Sequence, residues 1–92
     1  MSDEVYELVL ARPAARAISE VLPANVATAV LDVITGALIR NPHRVGRELR
    51  RELAGIFSAR RGTYRILYRI DDQARTVTVL RIDHRSDAYR AR

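Results

Sequence analysis

The residues of this sequence best suited to chemistry are arginines in its C-terminal half. Arg65 and Arg69 alternate with apolar residues along the run 64–70, and Arg60 and Arg85 lie on either side of it. Alternate side chains of a strand point to opposite faces, so Arg65 and Arg69 are expected on the face opposite the apolar stripe. A guanidinium stays charged and bonds two phosphate oxygens at once. Together these arginines predict a phosphate-binding surface, although a single arginine of this kind is more often a solvated charge or half of a salt bridge.

Two further residues near the C-terminus are suited to proton transfer and stacking. His84 follows Asp83, and with an ordinary pKa of ~6.5 a histidine exchanges a proton near neutral pH. It is equally consistent with a strand-end histidine bonded to Asp83 or Asp87. Tyr89 either packs the chain end or stacks on a nucleotide base, a contact worth ~1–3 kcal/mol.

A metal or cofactor site is not expected. Asp71 and Asp72 are adjacent acids of the kind common in turns, and no third ligand is spaced to join them. His43 reads as a surface loop residue. There is no glycine-rich phosphate loop, zinc-ligand spacing or Ser-His-Asp pattern, and the chain has no cysteine. The sequence therefore predicts no metal and no small-molecule cofactor.

The composition favours one basic globular domain. A chain of 92 residues suits a single domain, here residues 1–92, and a hydrophobic content of 48% argues against disorder. The net charge is +5 and all 16 basic residues are arginine, a bias to which the base composition of the genome contributes. A basic surface attracts polyanions, so nucleic acid is an expected partner.

Targeting signals are not expected either. The sequence has no run of 18 apolar residues, which predicts no membrane span, and residues 1–4 are acidic rather than basic. The expected location is the cytoplasm.

The N-terminal half predicts one strand and two helices. Residues 5–10 are β-branched and aromatic and read as a strand, which Pro13 ends. A first helix is indicated by apolar residues at helical spacing, namely Ala14, Ile18, Val21 and Leu22. After Pro23 a second stripe comprises Val26, Val30, Val33, Ile34, Ala37 and Leu38. It stops at Asn41-Pro42. Because only a short break at Pro23 separates the two helices, the sequence predicts that they form an antiparallel hairpin.

The C-terminal half changes to a period of two. Residues 43–55 read as irregular and basic, with Leu49 and Leu53 able to anchor one or two helical turns. Strands are expected at 56–60, 64–70 and 76–82, with turns at 61–63 and 71–74 and a polar tail from 83 to 92. The predicted order is β-α-α-β-β-β. This is an α+β fold in which the helical hairpin packs on a mainly antiparallel twisted sheet, leaving the other face open.

Two segments of this sequence resemble RelE-type toxins of the RelE/ParE superfamily. One is residues 53–68, with Arg-Arg-Gly-Thr-Tyr-Arg at 60–65, and the other is residues 79–89, with Asp-His-Arg at 83–85. They resemble the central hairpin and the C-terminal His-Arg-x-x-x-Tyr motif of that family, most closely its mycobacterial-type RelE and RelG members. The preceding helical hairpin also fits.

The resemblance implies a type II toxin–antitoxin toxin that enters the ribosomal A site and cleaves messenger RNA without metal. It implies restraint by a cognate RelB-like antitoxin. The implied catalytic set is Arg65 at the scissile phosphate, Arg60, Arg85, His84 as acid or base, and Tyr89 stacking on a base. Further RNA contacts are expected from the remaining basic residues around the hairpin, namely Arg61, Arg47, Arg50, Arg51 and Arg69.

One departure from the family pattern leaves the general base open. Some relatives carry a basic residue where this chain has Ser58, and others use an upstream glutamate whose slot here falls on Arg47, next to Glu48. Two other functions therefore stay in view. One is inhibition of DNA gyrase by a ParE-like toxin, and the other is RNA or protein binding without catalysis.

Overall fold

Five strands form a single mixed sheet in the order β1-β5-β4-β3-β2 in a computed structural model that describes residues 5–84. The strands are β1 Glu7–Leu10, β2 Arg47–Glu48, β3 Phe57–Arg61, β4 Tyr64–Asp71 and β5 Thr76–His84. The helices are α1 Arg12–Arg16, which continues as a π-helical turn at Ala17–Val21, α2 Ala24–Ile34, α3 Ala37–Arg40 and α4 Pro42–Val45. A 3-10 turn spans Arg51–Leu53.

The sheet confirms the α+β prediction and adds one strand to it. Neighbouring strands run antiparallel except β1, which pairs parallel with β5 at one edge. The segment predicted as irregular contains β2, which pairs with β3 through Arg47 opposite Ser58 and Glu48 opposite Phe57. A strand of two residues has no alternation to detect, which explains why sequence periodicity missed it.

The second predicted helix is broken in two, which corrects the continuous helix expected over 26–38. Gly36 has φ −119° and ψ −100°, outside the helical region, and separates α2 from α3. Threonine and glycine both have low helix propensity, so a Thr35-Gly36 pair is a favourable place to stop. Three members of the predicted apolar stripe, Val30, Ile34 and Leu38, are fully buried on both sides of the break, whereas Ala37 is exposed.

The helices cover one face of the sheet. Ile66 and Tyr68 of β4 are fully buried beneath them, as are Val77 and Val79 of β5. The pairing shifts between Leu67 and Tyr68, which stand opposite Arg81 and Val79, so Leu80 is the extra residue of a β-bulge. The bulge puts Ile82 on the helical face with Val79, three positions earlier, and leaves the odd-numbered residues of β4 on the open face.

No helix within residues 5–84 combines the length and the apolar character that crossing a membrane requires.

Candidate functional site

A concavity on the open face of the sheet contains four arginines. It has a volume of about 510 Å³, and we call it the arginine groove; its lining residues are Arg44, Val45, Gly46, Arg47, Leu49, Ser58, Arg60 and Arg65. Arg60 stands directly opposite Arg65 across β3 and β4. Cross-strand partners share a face of the sheet, so both side chains rise on the open side. The α4 segment and β2 close the groove with Arg44 and Arg47.

The electrostatics of the groove favour an anion. None of the eight described residues that line it is acidic. Like charges directly opposite one another in a sheet repel, so the Arg60 and Arg65 pair gains from an anion placed between them. On the β5 side, Asp83 stands opposite Arg65 on the same face, and its Oδ2 lies 2.9 Å from a guanidinium nitrogen of Arg81.

The groove wall is fixed by a close approach between the loop after α4 and the sheet. Tyr68 is fully buried, and its hydroxyl donates a 2.7 Å hydrogen bond to the carbonyl of Pro42. A Cβ at Gly46 would lie 2.6 Å from the Tyr68 hydroxyl oxygen and 2.7 Å from the Ser58 carbonyl oxygen. Only glycine therefore permits this contact, which sets the position of Arg44 and Arg47.

A second set of side-chain contacts, between His43 and Asp72, attaches α4 to the sheet. Nε2 of His43 lies 3.0 Å from each carboxylate oxygen of Asp72, and the Tyr6 hydroxyl donates a 2.6 Å hydrogen bond to Oδ1. The pKa of Asp72 is lowered most by the hydrogen bond from Tyr6 and next by that from His43. The His43 ring also packs edge-on against Phe57, with centroids 5.8 Å apart. His43 is thus exposed as expected, but it fastens α4 to the Asp71-Asp72 turn.

Tyr68, which fixes the groove wall, should make the free energy of unfolding depend on pH. Burial raises the pKa of Tyr68 to about 12 from 10.0. Its contribution to the free energy of unfolding is therefore complete below about pH 10 and is lost as the pH rises toward about 12. Since the chain has no lysine, few other side chains titrate there. We expect the free energy of unfolding of Tyr68→Phe to change less with pH over this range than that of the wild type. Urea unfolding at each pH would measure it.

Tyr6 supplies the control for that experiment. Its pKa is also raised, mainly by the hydrogen bond to Asp72, so Tyr6→Phe should remove a separate part of the alkaline dependence. An unchanged slope in Tyr68→Phe would contradict the assignment to the buried hydroxyl.

The structure divides the predicted arginines between the two sides of the sheet. Arg60, Arg65 and Arg47 line the arginine groove. Arg61 lies on the other face, because its cross-strand partner is Tyr64. Arg69 is on the open face but near Gly55, where an added Cβ would lie 3.9 Å from its guanidinium. The exposed residues Arg50 and Arg51 precede and begin the 3-10 turn and do not line the groove.

The predicted C-terminal residues fall at or past the end of the described chain. His84 is exposed, and its ring packs edge-on against Tyr64 with centroids 5.2 Å apart. Its register opposite Tyr64 puts it on the face away from Arg65. Arg85 and Tyr89 lie outside the described residues.

Sequence reasoning missed two residues that matter for the groove, Arg44 and Gly46. Both lie in the segment that reads as irregular, where no periodicity orients side chains. The signal available was the glycine itself, which follows Arg44 by two positions and directly precedes Arg47. Glu48, which adjoins the position of the glutamate base of some relatives, is directed elsewhere, since its Oε2 accepts a 2.9 Å hydrogen bond from the Gly55 amide.

No group of three potential metal ligands from histidine, cysteine, aspartate or glutamate occurs between residues 5 and 84.

Comparison with known sequences gives a consistent set of relatives. The profile of a family described as the ParE toxin of the type II toxin–antitoxin system parDE matches residues 9–89. Toxin RelG of Mycobacterium tuberculosis is 62% identical over 69 residues, covering 75% of this chain and 79% of that protein. Toxin RelE of the same organism is 42% identical over 88 residues, covering 96% of this chain and 90% of that protein.

Solved structures show the same fold. The toxin–antitoxin complex RelBE2 of M. tuberculosis contains a chain that is 52% identical, with a TM-score of 0.83, covering 89% of this chain and all of that one. The intact Escherichia coli RelBE complex contains a chain at 17% identity with a TM-score of 0.72, covering 86% of this chain and 95% of that one. At that identity the likeness shows the fold alone.

Proposed function

This chain belongs to the RelE-type toxins of the RelE/ParE family in type II toxin–antitoxin systems, and we propose that it cleaves messenger RNA in the ribosomal A site. The observation that carries the proposal is the arginine groove, a single concavity that four arginines from β3, β4 and the segment 44–47 line. We propose that residues 1–92 form one toxin domain with this groove as its RNA site.

The chemistry required is transesterification without metal. The 2′-oxygen of one nucleotide loses its proton and bonds to phosphorus, while the bond from phosphorus to the 5′-oxygen of the next nucleotide breaks and that oxygen gains a proton. The products are a 2′,3′-cyclic phosphate and a free 5′-hydroxyl. Negative charge builds on the non-bridging oxygens, and we assign their stabilisation to Arg65 and Arg60. Arg44 and Arg47 bind flanking phosphates.

Proton transfer falls to groups at the end of β5. An arginine with a pKa above ~12 is a poor base, and the chain has no lysine. His84 adjoins Asp83, the cross-strand partner of Arg65, and we propose it as the proton carrier, with Arg85 assisting at the phosphate and Tyr89 stacking on a base. Because the His84 ring packs against Tyr64 on the face away from Arg65, this role requires the end of β5 to rearrange when RNA binds.

Because the available acid and base groups are weak, most of the rate enhancement must come from positioning the reactants. Well-oriented reactants reach effective molarities of ~10⁵–10⁸ M. This supports dependence on the ribosome, which would hold the RNA strand bent for in-line attack.

The proposed partners follow from the groove and from the relatives. RelBE2 of M. tuberculosis and E. coli RelBE are toxin–antitoxin complexes. We propose that a cognate RelB-like antitoxin inhibits this chain by covering the arginine groove with an acidic segment, because that groove offers the complementary charge. The chain would then act in the cytoplasm, where ribosomes and antitoxin meet.

Programmed ribosomes test the proposal. Purified chain added to ribosomes that hold a defined message should produce new RNA ends in phase with the A-site codon, mapped by primer extension. The same message without ribosomes should stay largely intact. Intact messages on ribosomes at toxin concentrations well above that of the ribosome would reject the nuclease assignment.

A second function has a specific observation in its favour, because the matching family profile is that of ParE toxins. Toxins of that kind inhibit DNA gyrase. A supercoiling assay with purified gyrase separates the two: inhibition of supercoiling with uncut messages would favour the gyrase inhibitor.

A further inference from the structure

A second concavity lies beneath the tip of the β3–β4 hairpin, on the side of the sheet that carries the helices. We call it the hairpin groove; its volume is about 300 Å³ and its lining residues are Asn25, Val26, Ala29, Arg61, Gly62, Thr63 and Tyr64. The proposed cleavage chemistry makes no use of it. It contains Arg61, the predicted RNA contact that the register directs away from the arginine groove.

The groups in this groove suit one nucleotide. Tyr64 is half-buried and offers part of its ring beside Arg61. Val26 and Ala29 add apolar surface, and the exposed Asn25 offers an amide that both donates and accepts hydrogen bonds. Proteins recognise unpaired bases by stacking, by amide contacts to base edges and by cations at the phosphate.

The hairpin groove adjoins the arginine groove through two consecutive residues. Arg60 and Arg61 are neighbours on β3, so their side chains leave the strand on opposite faces. Their Cα atoms are about 3.8 Å apart, and only the exposed turn residues Gly62 and Thr63 lie beyond them at the tip. An RNA strand bound at Arg60 on one face therefore needs only to pass over the tip to meet Arg61 on the other.

Charge also favours this path. The first turn of α2, which carries Asn25, has no acidic residue, and none of the seven lining residues is acidic. The positive end of the α2 dipole adds to the field of Arg61 for a phosphate bound nearby.

We propose that the hairpin groove binds an unpaired nucleotide of the same RNA strand, one or two positions from the linkage held in the arginine groove. Arg61 contacts its phosphate, and Asn25 and Tyr64 contact its base. The inference rests on the proposed RNA substrate and extends it, because the toxin then holds the strand at two points on either side of the hairpin.

The test compares RNA length. Fluorescein-labelled single-stranded RNA of two and of eight nucleotides, with 2′-O-methyl sugars to prevent cleavage, is titrated with the full chain at low salt and followed by anisotropy. Arg61→Gln and Asn25→Ala should each weaken binding of the octamer about 3–10-fold and binding of the dinucleotide less than twofold. Arg40→Gln, which removes an exposed arginine far from the hairpin, controls for net charge.

The outcomes separate this inference from the function on which it rests. If Arg61→Gln binds the octamer no more weakly than Arg40→Gln does, or if wild-type chain does not bind the octamer, the hairpin groove is not an RNA site. Absence of A-site cleavage by the wild-type chain on programmed ribosomes would instead reject the nuclease function itself. Cleavage that persists while Arg61→Gln matches its control rejects only the second contact.

Discussion

Arg65→Gln is expected to lower ribosome-dependent RNA cleavage by about 10²–10³-fold, the usual effect of removing one donor that stabilises transition-state charge. Arg65 stands between Arg60 on β3 and Asp83 on β5, and it is the arginine of β4 that lines the groove. Glutamine keeps much of the side-chain volume at this half-buried position but cannot supply a charged fork. The measurement is the single-turnover rate on programmed ribosomes, with circular dichroism to verify the fold.

Two further variants make the result specific. Arg65→Lys retains the positive charge but loses bidentate geometry, so it should recover only a small part of the rate. Arg69→Gln removes the other arginine on the same face of β4, outside the groove, and should change the rate less than threefold. Equal losses from Arg65→Gln and Arg69→Gln would show that total charge matters and that the groove does not.

Gly46→Ala is expected to disrupt both stability and activity. The backbone of Gly46 has φ −121° and ψ −171°, which any residue adopts, so the cost comes from steric overlap alone. The added Cβ would lie 2.6 Å from the Tyr68 hydroxyl oxygen and 2.7–2.9 Å from the backbone of Ser58. Overpacking of this kind costs about 1–3 kcal/mol in the free energy of unfolding. In a chain of this size, each kcal/mol lowers Tm by about 4–8 °C.

The same substitution tests whether the loop positions the groove. If the loop moves away from β3 by about 1 Å, Arg44 and Arg47 move with it, and misplacement of that size costs about 10²-fold in rate. Activity measured well below the lowered Tm separates this effect from unfolding. A stable Gly46→Ala variant with full activity would refute the role of this contact.

Gly62→Ala is the matched control. It adds the same atom at a position with nothing within 4 Å, where φ is +62°. Its cost is therefore conformational, about 1–2 kcal/mol for a left-handed residue, without displacement of the arginine groove. Because Gly62 also lines the hairpin groove, octamer binding is measured alongside, and a large loss of cleavage with unchanged octamer affinity would point to a general loss of stability.

The sequence by itself determined which faces of β4 and of the helical segment α2–α3 are buried. The alternation along 64–70 correctly separated Ile66 and Tyr68, which are buried, from Arg65 on the open side. The stripe from Val30 to Leu38 identified the helical surface that covers the sheet, even across the break at Gly36. These inferences succeeded because the burial of apolar side chains repeats with the period of the backbone, and that period is visible in the order of residues.

The tertiary structure alone decided which arginines meet. Arg60 and Arg61 are equivalent in the sequence, but the register of β3 places one in the arginine groove and the other in the hairpin groove. Arg44 enters the site only because the loop after α4 rests on Ser58 and Tyr68, through a glycine that no periodicity marks. Contacts between distant segments depend on strand register and on the absence of one Cβ, and neither is encoded in a local pattern.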